Sequence, residues 1–237
     1  MNIKILFDKN VPSCEYASGW GFSALIGGKV LFDTGCDGKR LLKNMKKMKI
    51  DTREIKTVVV SHNHWDHWGG LKAFLKMRPG VRIWVGWEGF KESRFLAKLP
   101  GKNNICHSGK FFPVSAGIYS TGEIAGKYLR KKMPEQSVVV RTRKGLTVLT
   151  GCAHPGIVKI LDEVREAFKE KIYLVAGGFH LYGKRRATIN GIIRRFRKMG
   201  IKVAAPCHCS GKTAVKMFKE AYGERFMKLE VGSSLEV

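Results

Sequence analysis

The sequence predicts an α/β protein in which two β-sheets pack together and helices cover them from outside. Two observations carry that expectation. Paired apolar runs flanking a tight turn occur twice, and elsewhere short β-branched runs alternate with amphipathic helical spacing. No low-complexity linker or fixed-period repeat interrupts the 237 residues, a length that suits a single domain over 1–237 with one sizeable core.

Met1 to Asp8 reads as a short opening strand, charged too early to be a signal-peptide core. Ala24-Leu25-Ile26, the turn Gly27-Gly28 and Val30-Leu31-Phe32 make a hairpin. From Lys39 to Lys49, Leu41, Leu42, Met45 and Met48 recur at helical spacing with lysines opposite. Ile55 to Val60 is a buried strand, Leu71 to Met77 a helix stopped by Pro79-Gly80, and Val81 to Val85 another strand. Residues 86–136 are the least regular, with Pro100, Gly101, Asn103, Asn104, Pro113 and Pro134, and read as an insertion or lid. A second hairpin joins Ser137–Arg143 to Leu146–Thr150 across Lys144-Gly145. Helix Gly156–Lys169, strand Ile172–Ala176, a very basic helix Arg186–Met199, strand Val203–Ala205, helix Lys212–Tyr222 and a last strand near Phe226–Val231 complete the chain.

Lys plus Arg number 44 against 19 Asp plus Glu, a net +25 that calls for an acidic partner: a phosphorylated metabolite, a nucleic acid or an anionic membrane. With 44% hydrophobic and 27% charged residues, global disorder is excluded. No apolar stretch approaches the ~18–20 residues of a membrane span. Six cysteines without a secretory signal read as reduced thiols of a cytoplasmic protein rather than a disulfide framework. A single Gln, Gln136, beside so many Lys and Arg hints at a thermophilic source.

The strongest chemical feature is Ser61-His62-Asn63-His64-Trp65-Asp66-His67-Trp68-Gly69-Gly70. His62 and His64, two apart in extended chain, project the same way and can grip one ion. Asp66 and His67, at the turn into the next helix, offer an oxygen and a nitrogen to a second. The competing reading is a cluster of solvated loop histidines. His154, in Thr150-Gly151-Cys152-Ala153-His154-Pro155, His180, in Gly177-Gly178-Phe179-His180, and His208, in Pro206-Cys207-His208-Cys209-Ser210, each follow a strand. Strand carboxyl ends are where sites of layered α/β folds collect, although a lone His there is more often structural.

His-x-His-x-Asp-His after a strand is the signature of the metallo-β-lactamase superfamily, which this chain resembles along most of its length. Phe32-Asp33-Thr34-Gly35 resembles that superfamily's early Asp-Thr-Gly turn. Together with Tyr119-Ser120-Thr121-Gly122-Glu123-Ile124, Glu135-Gln136-Ser137 and the three later strand ends, these segments are similar to the branch of archaeal 7,8-dihydropterin-6-methyl-4-(β-D-ribofuranosyl)aminobenzene 5′-phosphate synthases. The resemblance implies a four-layer αβ/βα sandwich with one or two divalent metal ions, zinc foremost, at one edge. It implies ligands His62, His64, Asp66, His67, His154 and His208, with Asp33 supporting the metal loop from behind. Cys152 stands where many members carry a bridging Asp; a thiolate there could bind zinc but not replace a hard carboxylate bridge. Asp66 and His180 are the catalytic candidates.

Trp65 and Trp68, interleaved with ligands, are candidates for stacking a flat substrate ring, with Trp84, Trp87 and Phe90 as further walls. Ser210-Gly211-Lys212-Thr213 lacks the first glycine of a phosphate-binding Walker loop, but Lys212 and the helix start beside His208 suit an anion. Lys184-Arg185-Arg186, Arg194-Arg195 and Arg197 either steer phosphorylated substrates or form a solvated face. Cys207 and Cys209 read as small buried thiols and His107 as surface. Three functions compete: a metal-dependent transferase condensing a dihydropterin methyl diphosphate with a ribofuranosylaminobenzene phosphate, a metal-dependent hydrolase of a small phosphorylated or acyl substrate, and a nucleic-acid-binding protein or nuclease, which the absence of an RNA-binding motif disfavours.

Overall fold

β1 (Asn2–Phe7) pairs antiparallel with β2 (Ser23–Ile26), and Gly27-Gly28 turn the chain into β3 (Val30–Phe32). Both turn glycines take positive φ, 56° and 70°, which a Cβ resists and which matches the twist of the hairpin. Asp37 starts α1 (Gly38–Lys47), its carboxylate accepting from the Lys39 and Arg40 amides at 2.8 and 3.1 Å. α1 buries Leu41 and Met45 and ends two residues before the expected Lys49, which adopts a left-handed φ of 52°. The chain continues through β4 (Thr57–Val59), α2 (Trp65–Trp68), α3 (Leu71–Met77), β5 (Arg82–Val85), α4 (Trp87–Phe90) and β6 (Ile105–His107). Then come β7 (Phe112–Ser115), β8 (Ile118–Ser120), β9 (Lys127–Tyr128), β10 (Lys131–Lys132), β11 (Val138–Thr142) and β12 (Gly145–Thr150). α5 (Ile157–Phe168), β13 (Ile172–Gly178), α6 (Arg186–Lys198), β14 (Val203–Cys207), α7 (Lys212–Tyr222) and β15 (Ser234–Glu236) complete it.

This computed structural model describes all 237 residues except 92, 94–95, 97–98, 100–103 and 108. Among the described residues, one sheet runs β15-β1-β2-β3-β4-β5-β6 and the other β14-β13-β12-β11-β8-β7. Their inner faces meet through Ile3, Ile5 and Phe32 from the first sheet and Val138, Leu149 and Leu174 from the second. α1 and α3 cover the outer face of the first sheet with Leu41, Leu71 and Phe74. α5, α6 and α7 cover the second with Ile160, Phe196 and Phe218. The result is the four-layer αβ/βα sandwich.

Two departures have physical causes. The stretch 86–136 is woven into both sheets: β6 pairs parallel with β5, and β7 and β8 extend the second sheet from β11. Its strands are too short to announce themselves by alternation. Pro100, Gly101 and Asn103, named above as breakers, lie outside the described residues. The expected strand at Phe226–Val231 is reduced to one bridge, Phe226 with Ala204. Gly232, at φ 92° and where a Cβ would meet the Tyr16 ring at 3.0 Å, turns the chain so that β15 instead closes the sheet edge on β1.

β3, β4 and β5 are mutually parallel, as are β12, β13 and β14. The carboxyl ends of β3 and β4 in one sheet therefore face those of β12, β13 and β14 in the other. Asp33, the His62–His67 loop, Cys152–His154, His180 and His208 follow these ends and collect at one edge of the sandwich.

Candidate metal centre

Asp33 organises the loop after β4. One carboxylate oxygen accepts the Ser61 amide at 2.7 Å, and the other accepts the Ser61 hydroxyl and contacts His67 Nδ1, each at 2.7 Å. Gly151 lets the second sheet approach this knot, since a Cβ there would meet Ser61 Oγ at 2.3 Å. Asp33, Ala153, His180 and His208 all hold positive φ, between 46° and 63°. Four left-handed non-glycine residues at one edge mark a locally strained site.

The side chains form two groups. His62, His64 and His154 converge first: His62 Nε2 lies 3.0 Å from His64 Nδ1. His154 Nδ1 contacts Glu135 Oε2 at 2.9 Å, leaving its Nε2 buried with no hydrogen-bond partner. Asp66, His67 and His208 form the second group. His67 Nε2 is 3.3 Å from His208 Nε2, and Asp66 Oδ2 is 3.6 Å from each. Donors bound about 2.0–2.1 Å from a tetrahedral ion stand roughly 3.3–3.4 Å apart, which the second group approaches, while the 3.0 Å between His62 and His64 is a hydrogen-bond distance. Cys152 Sγ lies 3.4 Å from His67 Nε2, between the groups, and within 4.8 Å of both His62 and His67 donors.

At three of the rings the electrostatics suit a cation. Burial pushes His62 and His208 well below the usual imidazole range and takes His64 down to about 4, so these rings are neutral and keep a lone pair. His67 differs: burial opposes its charge, but Asp33 against Nδ1 outweighs that, with help from Asp66 and Glu135, and holds it at about 9. Glu135, also opposed by burial, is held at about 2 by His154 and the backbone amides around it. Those amides are Cys152 and Ala153 on one oxygen, both at 2.8 Å, and His154 on the other at 2.9 Å. Asp8 supports the opposite side by accepting the His208 amide at 3.1 Å. A carboxylate thus orients His67 and another orients His154, which fixes the nitrogen each ring presents to the site.

His180 sits at the rim, its ring centroid 4.6 Å from His154 and 5.7 Å from Tyr128. Its Nδ1 is buried without a hydrogen-bond partner. Cys209 joins it and Cys152 in a third group of donors within 4.8 Å. Burial opposes the Cys209 thiolate, but contacts with Cys152 and His180 make it the more acidic of the two thiols. The aromatic residues that touch the histidines are Tyr128, 4.8 Å from His64, and Trp20, 5.5 Å from His208. Trp65 is 56% exposed, while Trp68 donates to Asn63 Oδ1 at 3.2 Å and packs against the outer core of the first sheet. Trp84 pairs with Phe112, Trp87 with His107, and Phe90 is core. Lys212 is exposed on the first residue of α7.

Sequence reasoning assigned no role to Asp8, Trp20, Tyr128 or Glu135. Glu135 stands in the segment Glu135-Gln136-Ser137, and its burial beside His154 is what sets it apart. Nothing local to Tyr128 signals its place.

A four-layer αβ/βα sandwich with two donor groups at the strand ends of both sheets defines a fold suited to a metalloenzyme. The chain belongs to the metallo-beta-lactamase superfamily: residues 21–105 match that family, and two relatives of 30% and 31% identity covering most of the chain support it. The first is the 7,8-dihydropterin-6-methyl-4-(beta-D-ribofuranosyl)-aminobenzene-5′-phosphate synthase of Methanocaldococcus jannaschii, 30% identical over 252 residues, covering 89% of this chain and 85% of the relative. The crystal structure of Tm1679, a metal-dependent hydrolase of the beta-lactamase superfamily, superposes with a TM-score of 0.85 at 31% identity, covering 100% of this chain and 99% of that one. YhfI from Bacillus subtilis shares the fold, with a TM-score of 0.69 at 13% identity over 99% of each chain. The protein is therefore an enzyme of this superfamily with donor groups suited to divalent metal. No helix among the described residues is long and apolar enough to cross a membrane.

Proposed function

We propose that the chain is a metal-dependent transferase that joins a dihydropterin methyl diphosphate to a ribofuranosylaminobenzene phosphate. The observation that carries this reading is the 30% identity, over 89% of the chain, to the synthase of that name. The site supports it with two donor groups, a +25 net charge for two phosphorylated substrates, and aromatic rings of Tyr128 and Trp20 beside the histidines.

In this reading His62, His64 and His154 hold one ion and Asp66, His67 and His208 a second, zinc being the expected metal in both. Bound there, divalent ions supply Lewis-acid stabilisation of negative charge on phosphoryl oxygens, and could alternatively lower the pKa of a water towards ~7. The pterin methylene C–O bond breaks, diphosphate leaves with the bonding pair, and the aromatic amine nitrogen forms the new C–N bond and loses a proton. His180, whose Nδ1 at the rim is unpartnered, would take that proton in this reading. Tyr128, edge-on to His64, His154 and His180, gives a flat ring one wall.

A second reading, a metal-dependent hydrolase of a small phosphorylated substrate, is favoured by the 31% identity and TM-score of 0.85 to Tm1679. Mass spectrometry of products from dihydropterin methyl diphosphate and the metal-loaded enzyme separates the two. A condensed product that needs both substrates establishes the transferase. Hydrolysed pterin in the presence of both overturns it in favour of the hydrolase.

A further inference from the structure

A cavity of about 630 Å³ opens beside the first donor group, reaching His154 and Pro155 on one side and Lys127, Lys132 and Lys159 on the other. Glu88 also lines it, with its carboxylate engaged by Lys91 at 3.0 Å. Lys127 and Lys132 are direct cross-strand partners in the β9–β10 ribbon. Like charges directly opposite destabilise a strand pair, and an isolated two-stranded ribbon has little stability to lose. Neither ammonium has a carboxylate partner among the described residues. Both residues are exposed, and an anion between them would offset that repulsion. Strand alternation puts Tyr128 and its partner Lys131 on the other face, so the ribbon offers a ring to the histidines and two cations to the cavity. Lys159 reaches from α5 to donate to Ala125 O at 2.9 Å, tying the ribbon's base to the helix.

We propose that Lys127, Lys132 and Lys159 form a subsite for a phosphate monoester at the end of the substrate remote from the reacting atom. Within the transferase reading, on which the substrate's identity rests, this is the 5′-phosphate of the amine substrate. Ions held by the donor groups would stabilise the diphosphate that leaves. The two phosphorylated ends are thereby separated: His154 marks the reacting end of the cavity and the ribbon lysines the far end. The ribbon then becomes ordered most firmly when that phosphate neutralises its lysine pair.

Calorimetric titration of ribose 5-phosphate into the metal-loaded full chain tests this, with K127A/K132A as the subsite variant and K144A, on the turn of the distant β11–β12 hairpin, as the charge control. The wild type should bind, K127A/K132A should lose roughly tenfold or more in affinity, and K144A should match wild type. Without ligand, K127A/K132A should melt no lower than wild type, because a repulsive pair has gone. If that variant melts early, K127Q/K132Q carries the same comparison. Absence of binding to wild type, equal binding by the double variant, or an equal loss in K144A overturns the proposal. Condensation failing while lysine-dependent binding persists would remove the transferase reading and leave the subsite standing.

Discussion

Both carboxylate oxygens of Glu135 are committed to the turn that carries His154, and the buried Nε2 of that ring is left facing His62 and His64. Removing the negative charge behind a ligating imidazole typically costs 10- to 100-fold in metal affinity. Glu135→Gln should therefore weaken metal binding by about that factor, read by competition with a chromophoric chelator, and an affinity within twofold of wild type would refute the orienting role. Tyr222 poses a different residue-scale question, since its hydroxyl is buried with no partner among the described residues. Burial pushes its pKa from 10 to about 12, against a smaller opposing pull from Arg197. A raised phenol keeps its proton in the folded state while the unfolded chain releases it. This contribution to stability is intact below pH 10 and is lost as the pH rises towards 12. Tyr222→Phe should flatten the fall in denaturant midpoint over that window; an unchanged slope would contradict the assignment.

At the scale of elements, the β9–β10 ribbon is held over the site by a close backbone approach at Gly126. A Cβ there would meet Met133 O at 2.5 Å and Pro155 N at 2.7 Å. Gly126→Ala should lift the ribbon, and with it Tyr128, away from His64 and His154. Displacements of this size near a reacting centre cost on the order of 10- to 100-fold, so kcat/KM should drop by that factor while the far-ultraviolet spectrum and metal content hold. Retained kcat/KM would show that the ribbon does not shape the site. The ribbon also shows where sequence legibility ends. The Gly27-Gly28 hairpin, α3 and α7 were readable because turn chemistry and apolar periodicity are local properties. β9 and β10 have two residues each, and no period can be read from two positions. The His62–His67 cluster was legible for a similar reason: four donors fall within six residues. Asp8 was not, because its partner His208 lies 200 residues further along the chain. Cys209 was readable as buried, but its proximity to Cys152 and His180 depends on three strands meeting at one edge.

The whole molecule combines a donor-rich edge with a net charge of +25. Long-range attraction of this kind is screened within about 8–10 Å at physiological ionic strength, so it acts on encounter rate more than on affinity. kcat/KM for phosphorylated substrates should therefore fall steeply between low and physiological salt while kcat changes little; a salt-independent kcat/KM would show that the charge serves something else. The donor groups sit outside the inter-sheet core of Ile3, Phe32, Leu149 and Leu174, and outside the helix-covered core of Phe179, Phe196 and Phe218. His62→Ala with His64→Ala should accordingly strip the first group of metal without unfolding the chain. Phe179→Ala, which empties a ring packed 5.6 Å from both Phe196 and Phe218, should cost about 3–5 kcal/mol in denaturant unfolding.

In the proposed reading the two donor groups are separate metal sites. Elemental mass spectrometry of the zinc-loaded, desalted chain tests it most directly, comparing wild type with His154→Ala and His208→Ala. Two ions per wild-type chain and one in each variant are expected, with His154→Ala emptying the His62–His64 group and His208→Ala the Asp66–His67 group. A metal content unchanged by either substitution would contradict it.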